Sequence, residues 1–257
     1  MRLEELAALE AAYMAFNARR SLRHGEPRFA VERVQGAWLL SDAARTELSA
    51  YNRALGATTA AALEACLARL EELGAPPRVD LDGGESPAEL RELLRGHGLA
   101  GQARIVYLVH RGEAPPVPEL EVREVTRDAL PAFFDLLERS LGPIDAGLRA
   151  LRGEHYATER FPVDLACIDG EPIAWATSYF AEGGVLLGNA FTLPEHRGRG
   201  AQTALLAARL HRAAARDAGA VVTDVEPDTP SLRNALRAGF EVLSTREVWM
   251  REAGEVF

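Results

Sequence analysis

The stretch Leu193-Pro-Glu-His-Arg197-Gly-Arg-Gly200-Ala-Gln-Thr-Ala-Leu205-Leu206 decides how this chain is read. The apolar run Val185–Leu193 in front of it predicts a strand, the glycines predict a turn, and the alanine- and leucine-rich segment from about Gly200 to Ala218 predicts a long helix. A helix start presents backbone N–H groups that have no partner in their own helix, together with the positive end of the helix dipole. Glycines beside it let an anion approach the main chain. Arg197 and Arg199 add charge-assisted donors. On these residues alone two readings stay open, a phosphate site and an arginine-glycine turn that caps a surface helix.

Around this segment, Glu119–Val125 reads as a strand and Asp128–Leu141 as a helix with apolar residues on one face. Val163–Ile168 and Pro172–Phe180 read as two strands joined at Asp169-Gly170, a strong hairpin signal. Gly183-Gly184 turns the chain into the strand that ends at Leu193. Beyond the long helix come a strand Val221–Val225, a helix Ser231–Ala238 ended by Gly239, and a closing strand near Glu247–Met250. Upstream, Arg111-Gly-Glu-Ala-Pro-Pro-Val-Pro118 is poor in helix and strand formers and reads as a linker.

Composition narrows the partners. The 29 basic residues of the 257 are all arginine, which removes lysine-dependent P-loop and Schiff-base chemistry. A net charge of −9 argues against nucleic acid as the main partner. The N-terminal segment carries Glu4, Glu5 and Glu10 where a signal peptide needs an unbroken apolar core, and no segment suits a membrane span. Two cysteines, Cys66 and Cys167, are too few for a disulfide framework, so a cytoplasmic setting is expected. The histidines show no ligand spacing, and no metal is expected.

A faint repeat precedes the linker. Arg53-Ala-Leu-Gly56-Ala-Thr58 opens a helix that ends at Gly74-Ala75 and is followed by the strand Arg78–Leu81, much as Arg197–Gln202 opens one that ends at Gly219-Ala220 before Val221–Val225. Gly98-Leu99 then parallels Gly239-Phe240. A chance recurrence of common helix-glycine-strand units is the competing explanation.

Arg197-x-x-Gly200, with Pro194 before it and Ser231-x-x-Asn234 and Gly239-Phe240 after it, resembles the GNAT superfamily of acyl-CoA-dependent N-acyltransferases over about residues 117–257. The resemblance implies an α+β fold: a central, mixed, mostly antiparallel twisted sheet flanked by helices. With the repeat it implies two such modules in tandem: a degenerate or merely structural domain at 1–110, a linker at 111–118 and a catalytic domain at 119–257. It further implies transfer of an acetyl or small acyl group from acetyl-CoA to the amine of a small-molecule or peptide acceptor by direct attack in a ternary complex. A non-catalytic CoA-binding sensor or scaffold is the alternative. The implied cosubstrate-binding residues are Phe191, Thr192, Leu193, Arg197, Gly198, Arg199, Gly200, Ala201, Gln202 and Asn234. Gln202 departs from the small residue the family places there, as a longer side chain that an outward orientation would accommodate.

Two positions where the family often carries proton-transfer groups hold Leu186 in place of a glutamate and Ala235 in place of a tyrosine. The candidate base is therefore Glu226, which shares a strand face with Asp224 near the end where open sheets place ligands, and a solvated strand-end carboxylate is the competing reading. His155-Tyr156 lies where acceptors are often recognised; Trp175 and Tyr179 share one strand face and suit either core or acceptor wall. Cys167 reads as a buried inert thiol and Cys66 as helix packing.

Overall fold

A computed structural model describes residues 1–22, 24–83, 87–116 and 118–251 of the chain. Val117 of the expected linker and residues 252–257 of the expected catalytic domain lie outside the described residues. The backbone divides into unit 1, residues 1–19, 25–107 and 242–257, and unit 2, residues 20–24 and 108–241. The division differs from the one expected at 111–118, because the end of the chain joins unit 1.

Unit 1 contains helix α1 (Leu3–Arg20), strands β1 (Phe29–Val34), β2 (Ala37–Asp42) and β3 (Arg53–Leu55), helix α2 (Ala60–Glu72), strand β4 (Arg78–Asp82), helix α3 (Ala88–Gly96) and the first part of strand β5 (Leu99–His110). β1, β2 and β3 pair antiparallel in order, and β3 pairs parallel with β4. α2 presents Ala62, Leu63, Cys66, Leu67 and Leu70 to the core, the spacing of one helix face. α1 covers Leu40, Tyr51 and Leu55 with Ala7, Ala11, Met14 and Ala18.

The sequence places Arg53 in a loop that opens a helix, and the structure corrects this. Arg53 is the first residue of β3, 6% exposed, and its guanidinium bonds the carboxylates of Asp80 and, at 2.8 Å, Glu10. The helix starts only at Ala60, where the Thr59 side chain accepts from the Ala62 N–H at 3.2 Å. Three residues of strand are too few to show a period of two, so the local signal was carried by the spacing to Gly56 alone.

Unit 2 contains β6 (Glu121–Glu124), α4 (Leu130–Leu141), α5 (Ala146–Arg152), β7 (Val163–Ile168), β8 (Glu171–Ala181), β9 (Gly184–Thr192), α6 (Ala201–Ala215), β10 (Ala220–Val225) and α7 (Pro230–Arg237). β6 to β9 pair antiparallel in order and β10 adds to β9 in parallel. The β7–β8 turn places Asp169 at φ 50° and Gly170 at φ 84°, the two left-handed residues that a two-residue hairpin requires. α4 begins two residues later than the apolar spacing suggests; Pro131 in its first turn has no N–H to lose there. α6 lays Ala201, Leu205 and their neighbours against Ala166, Ala174 and Ala176, whose small side chains bring helix and sheet close.

Strand β11 (Phe240–Arg251) returns the chain to unit 1, where Arg246–Met250 pair antiparallel with Asp82–Arg78 of β4. It is much longer than the Glu247–Met250 segment expected, since after Phe240 two exposed and three half-buried residues, 241–245, show no alternation.

Candidate functional site

The site of unit 2 begins where two strands part. The parallel pairing of β9 with β10 ends at Leu187 and Thr223, whereas β9 continues beside β8 as far as Thr192. Between Gly188 and Ala190 the register slips past Asn189, which takes φ 43°, a β-bulge. Residues 190–192 thus pair with β8 on one side and lie beyond the end of the β10 pairing on the other, an open edge of the sheet.

Leu193 through Arg197 form a tight turn, and then Gly198 and Gly200 take φ 80° and 81°, the left-handed region that only glycine adopts at little cost. Gly200 is the N-cap of α6 and has no side chain to cap it. The N–H groups of Ala201, Gln202 and Thr203 therefore open onto a cleft of about 670 Å³. A Cβ built at either glycine would meet nothing within 4 Å, so both backbones border open space. Arg197 and Arg237 line the same cleft, concentrating positive charge in a chain of net charge −9.

Of the residues expected at a cosubstrate site, Phe191, Thr192, Arg197, Gly198, Gly200, Ala201, Gln202 and Asn234 line this cleft. Leu193 does not: its side chain is 3% exposed and its N–H donates to the Ile173 carbonyl at 3.0 Å. Arg199 is exposed and outside the lining. Gln202 does not point outward. Its Nε2 donates to Ser231 Oγ at 3.0 Å and its Oε1 accepts from Asn234 Nδ2 at 2.7 Å, so α6 is laced to α7 across the cleft. Arg237 in turn donates to Asn234 Oδ1. Arg237 and His196 also line the cleft, and in the sequence only their spacing from Asn234 and Arg197 marks them.

Glu226 lies just past β10, exposed, in the turn where its carbonyl accepts from Thr229 Oγ1 at 2.8 Å, and it does not line the cleft. Leu186 and Ala235 are each 3% exposed and apolar, so neither position exchanges a proton. Tyr156 belongs to an aromatic core with Phe133, Phe134 and Phe161, its hydroxyl accepting from Arg20 at 2.9 Å. Trp175 is buried and donates to Ser140 Oγ at 3.0 Å, and burial raises the Tyr179 phenol above its usual range. Burial likewise pushes the Cys66 thiol up to about 11 and raises Cys167, as inert packing thiols require. Among the described residues no group of three or more His, Cys, Asp or Glu could hold a metal ion, and no helix is long and apolar enough to cross a membrane.

A strand with one open edge that runs into an uncapped, glycine-lined helix start can pair with an extended ligand and accept a phosphate at its end. Residues 122–240 match the acetyltransferase (GNAT) family. No curated protein matches the chain. Among solved structures, a GCN5-related N-acetyltransferase from Kribbella flavida is similar at 20% identity and a TM-score of 0.63, with 98% of this chain and 97% of that one covered. A protein of Staphylococcus epidermidis described as functionally unknown is similar at 12% identity and a TM-score of 0.61, covering 85% of this chain and 91% of that one. A Drosophila protein is similar at 18% identity and a TM-score of 0.60, covering 97% and 90%. At these identities the likeness is one of fold, and it extends over both units. The family match supports acetyltransferase activity in general.

Proposed function

We propose that the chain transfers an acetyl or other small acyl group from its CoA thioester to the amine of a small-molecule or peptide acceptor, by direct attack in a ternary complex. The observation that carries this reading is the uncapped start of α6, with Gly198 and Gly200 left-handed beside it, next to the open edge of β9. The residues suit the cosubstrate: the helix start and Arg197 would hold the pyrophosphate, and the main chain of Phe191 and Thr192 would run beside the pantetheine arm. Bound there, the thioester supplies an electrophilic carbonyl and a thiol leaving group.

The chain's own contribution is orientation and charge. Gln202, Ser231 and Asn234 form one polar wall, and Arg197 and Arg237 attract the phosphates. With Leu186 and Ala235 unable to take or give a proton, the attacking amine loses its proton to water. Turnover then rises with pH as more of the acceptor amine becomes neutral, and Glu226→Gln leaves both the rate and this profile unchanged. A lowered profile in that variant would return Glu226 to the role of base.

The test is calorimetry with acetyl-CoA, followed by thiol release with a panel of amines. Binding and turnover together support the reading. Binding without turnover by any amine favours a CoA sensor, the reading for which the buried Leu186 and Ala235 speak. No binding overturns both.

A further inference from the structure

Helix α6 buries a cation that does not line the cleft. Arg209, on α6, is 4% exposed, and among the described residues its guanidinium makes no ion pair within hydrogen-bond reach; the nearby carboxylate of Asp164 is held by Arg212 at 2.5 and 2.6 Å. Its partners are carbonyl oxygens. Nη1 donates to Thr177 O at 3.1 Å and Gly188 O at 3.4 Å, and Nε donates to Leu205 O of its own helix at 3.2 Å. Burial pulls its pKa down to about 10, so it is still charged at neutral pH. Packing alone gives no reason for a cation here, because an apolar side chain of the same volume avoids the cost of desolvating a charge.

The location supplies a reason. Thr177 and Gly188 are the pair at which the β8–β9 register slips past Asn189. A bulge disrupts the ladder locally, so side-chain donors to the carbonyls beside it help fix its geometry. Arg209 supplies donors to both, while Thr177 Oγ1 adds a second bond to Gly188 O at 3.2 Å. The same helix begins at Gly200, so this one side chain ties the helix of the anion cradle to the place where β9 turns away from β10. We infer that Arg209 is a positioning residue: it holds the bulge at Asn189 and so sets residues 190–192 at the distance and angle from the α6 start that an acyl-CoA arm needs. This rests on the proposed function, since it presumes that the cleft takes acetyl-CoA.

The test compares two ligands on the full chain by calorimetry: acetyl-CoA, and adenosine 3′-phosphate 5′-diphosphate, the nucleotide half that lacks the pantetheine arm. In Arg209→Met the dissociation constant for acetyl-CoA is expected to rise at least tenfold while that for the nucleotide stays within threefold. In turnover the KM for acetyl-CoA rises, whereas a merely structural defect lowers apparent kcat by reducing the folded fraction. Arg209→Lys keeps the charge but not the two-carbonyl reach, and is expected to weaken acetyl-CoA less and to spare the nucleotide. If the methionine variant does not fold, the lysine variant decides by the same comparison. Equal weakening of both ligands, or no change for acetyl-CoA, overturns the inference and leaves the proposed function standing. A parent protein that binds neither ligand overturns both.

Discussion

Gly200 is held at φ 81° with open space where a side chain would project, so any residue with a Cβ faces a conformational cost rather than a collision. That cost is about 1–2 kcal/mol for an ordinary residue in the left-handed region, and relieving it means moving the turn. Gly200→Val is expected to weaken acetyl-CoA binding about tenfold, in line with that strain, with the fold retained by circular dichroism; unchanged affinity would put the phosphate elsewhere. His110 allows a second prediction. It is 9% exposed, packs on Phe240 with ring centroids 5.1 Å apart, and has no hydrogen-bond partner at Nε2. Burial lowers its pKa below the ordinary 6.5, so the unfolded chain binds a proton more readily than the folded one. Stability from this group is therefore present above about pH 6.5 and lost as pH falls toward the folded value. The urea midpoint should drop between pH 7.5 and pH 5.5 by more in the parent than in His110→Phe, and equal drops would remove His110 from the pH response. Residues such as Arg197 and Gly200 were legible in the sequence because their chemistry is local. Arg53 and Gln202 were not, because what fixes their roles, Asp80 and Glu10 in one case and Ser231 and Asn234 in the other, is distant in sequence.

Two helix starts that look alike in sequence differ as elements. α6 opens at Gly200 with no side-chain cap, and α2 opens after Thr59, whose hydroxyl satisfies the Ala62 N–H. Arg53, which matches Arg197 in spacing to a glycine, is locked into a strand by two carboxylates. One acetyl-CoA per chain is therefore expected by calorimetry, and a stoichiometry of two would show that unit 1 has a working cradle of its own. The elements easiest to read are those with turn residues beside them: the hairpin turn lies at Asp169-Gly170 as expected, and α7, expected over Ser231–Ala238 before Gly239, runs Pro230–Arg237. The bulge at Asn189 is not legible in the sequence, because Val185–Leu187 are buried in succession and show no alternation whose phase an extra residue could break.

At the scale of the whole molecule, the proline-rich stretch at 111–118 looks like a place to cut the chain into two independent domains, and the pairing of β11 says otherwise. Unit 1 takes its strand beside β4 from residues that follow unit 2 in sequence. That strand carries Arg246, wholly buried, whose guanidinium bonds Asp82 at 3.0 Å and also Glu10. It also places Trp249 in the core of α2 and α3. Burial works against the charge on Arg246, but the carboxylates of Glu10 and Asp82 outweigh it and keep the guanidinium charged, and against the same burial Arg246 and Arg53 lower the pKa of Glu10. Removing one partner of a buried ion pair costs about 3–5 kcal/mol, a large part of the 5–15 kcal/mol that stabilises a typical domain. A fragment of residues 1–110 loses Arg246 and Trp249 together and leaves one edge of β4 unpaired, so it is expected to show no cooperative thermal transition when expressed alone. Mixing it with a fragment of residues 119–257 should restore a sharp transition, because the missing strand is supplied in trans. A fragment 1–110 that melts cooperatively by itself would show that β11 is dispensable to unit 1 and that the linker is a true domain boundary.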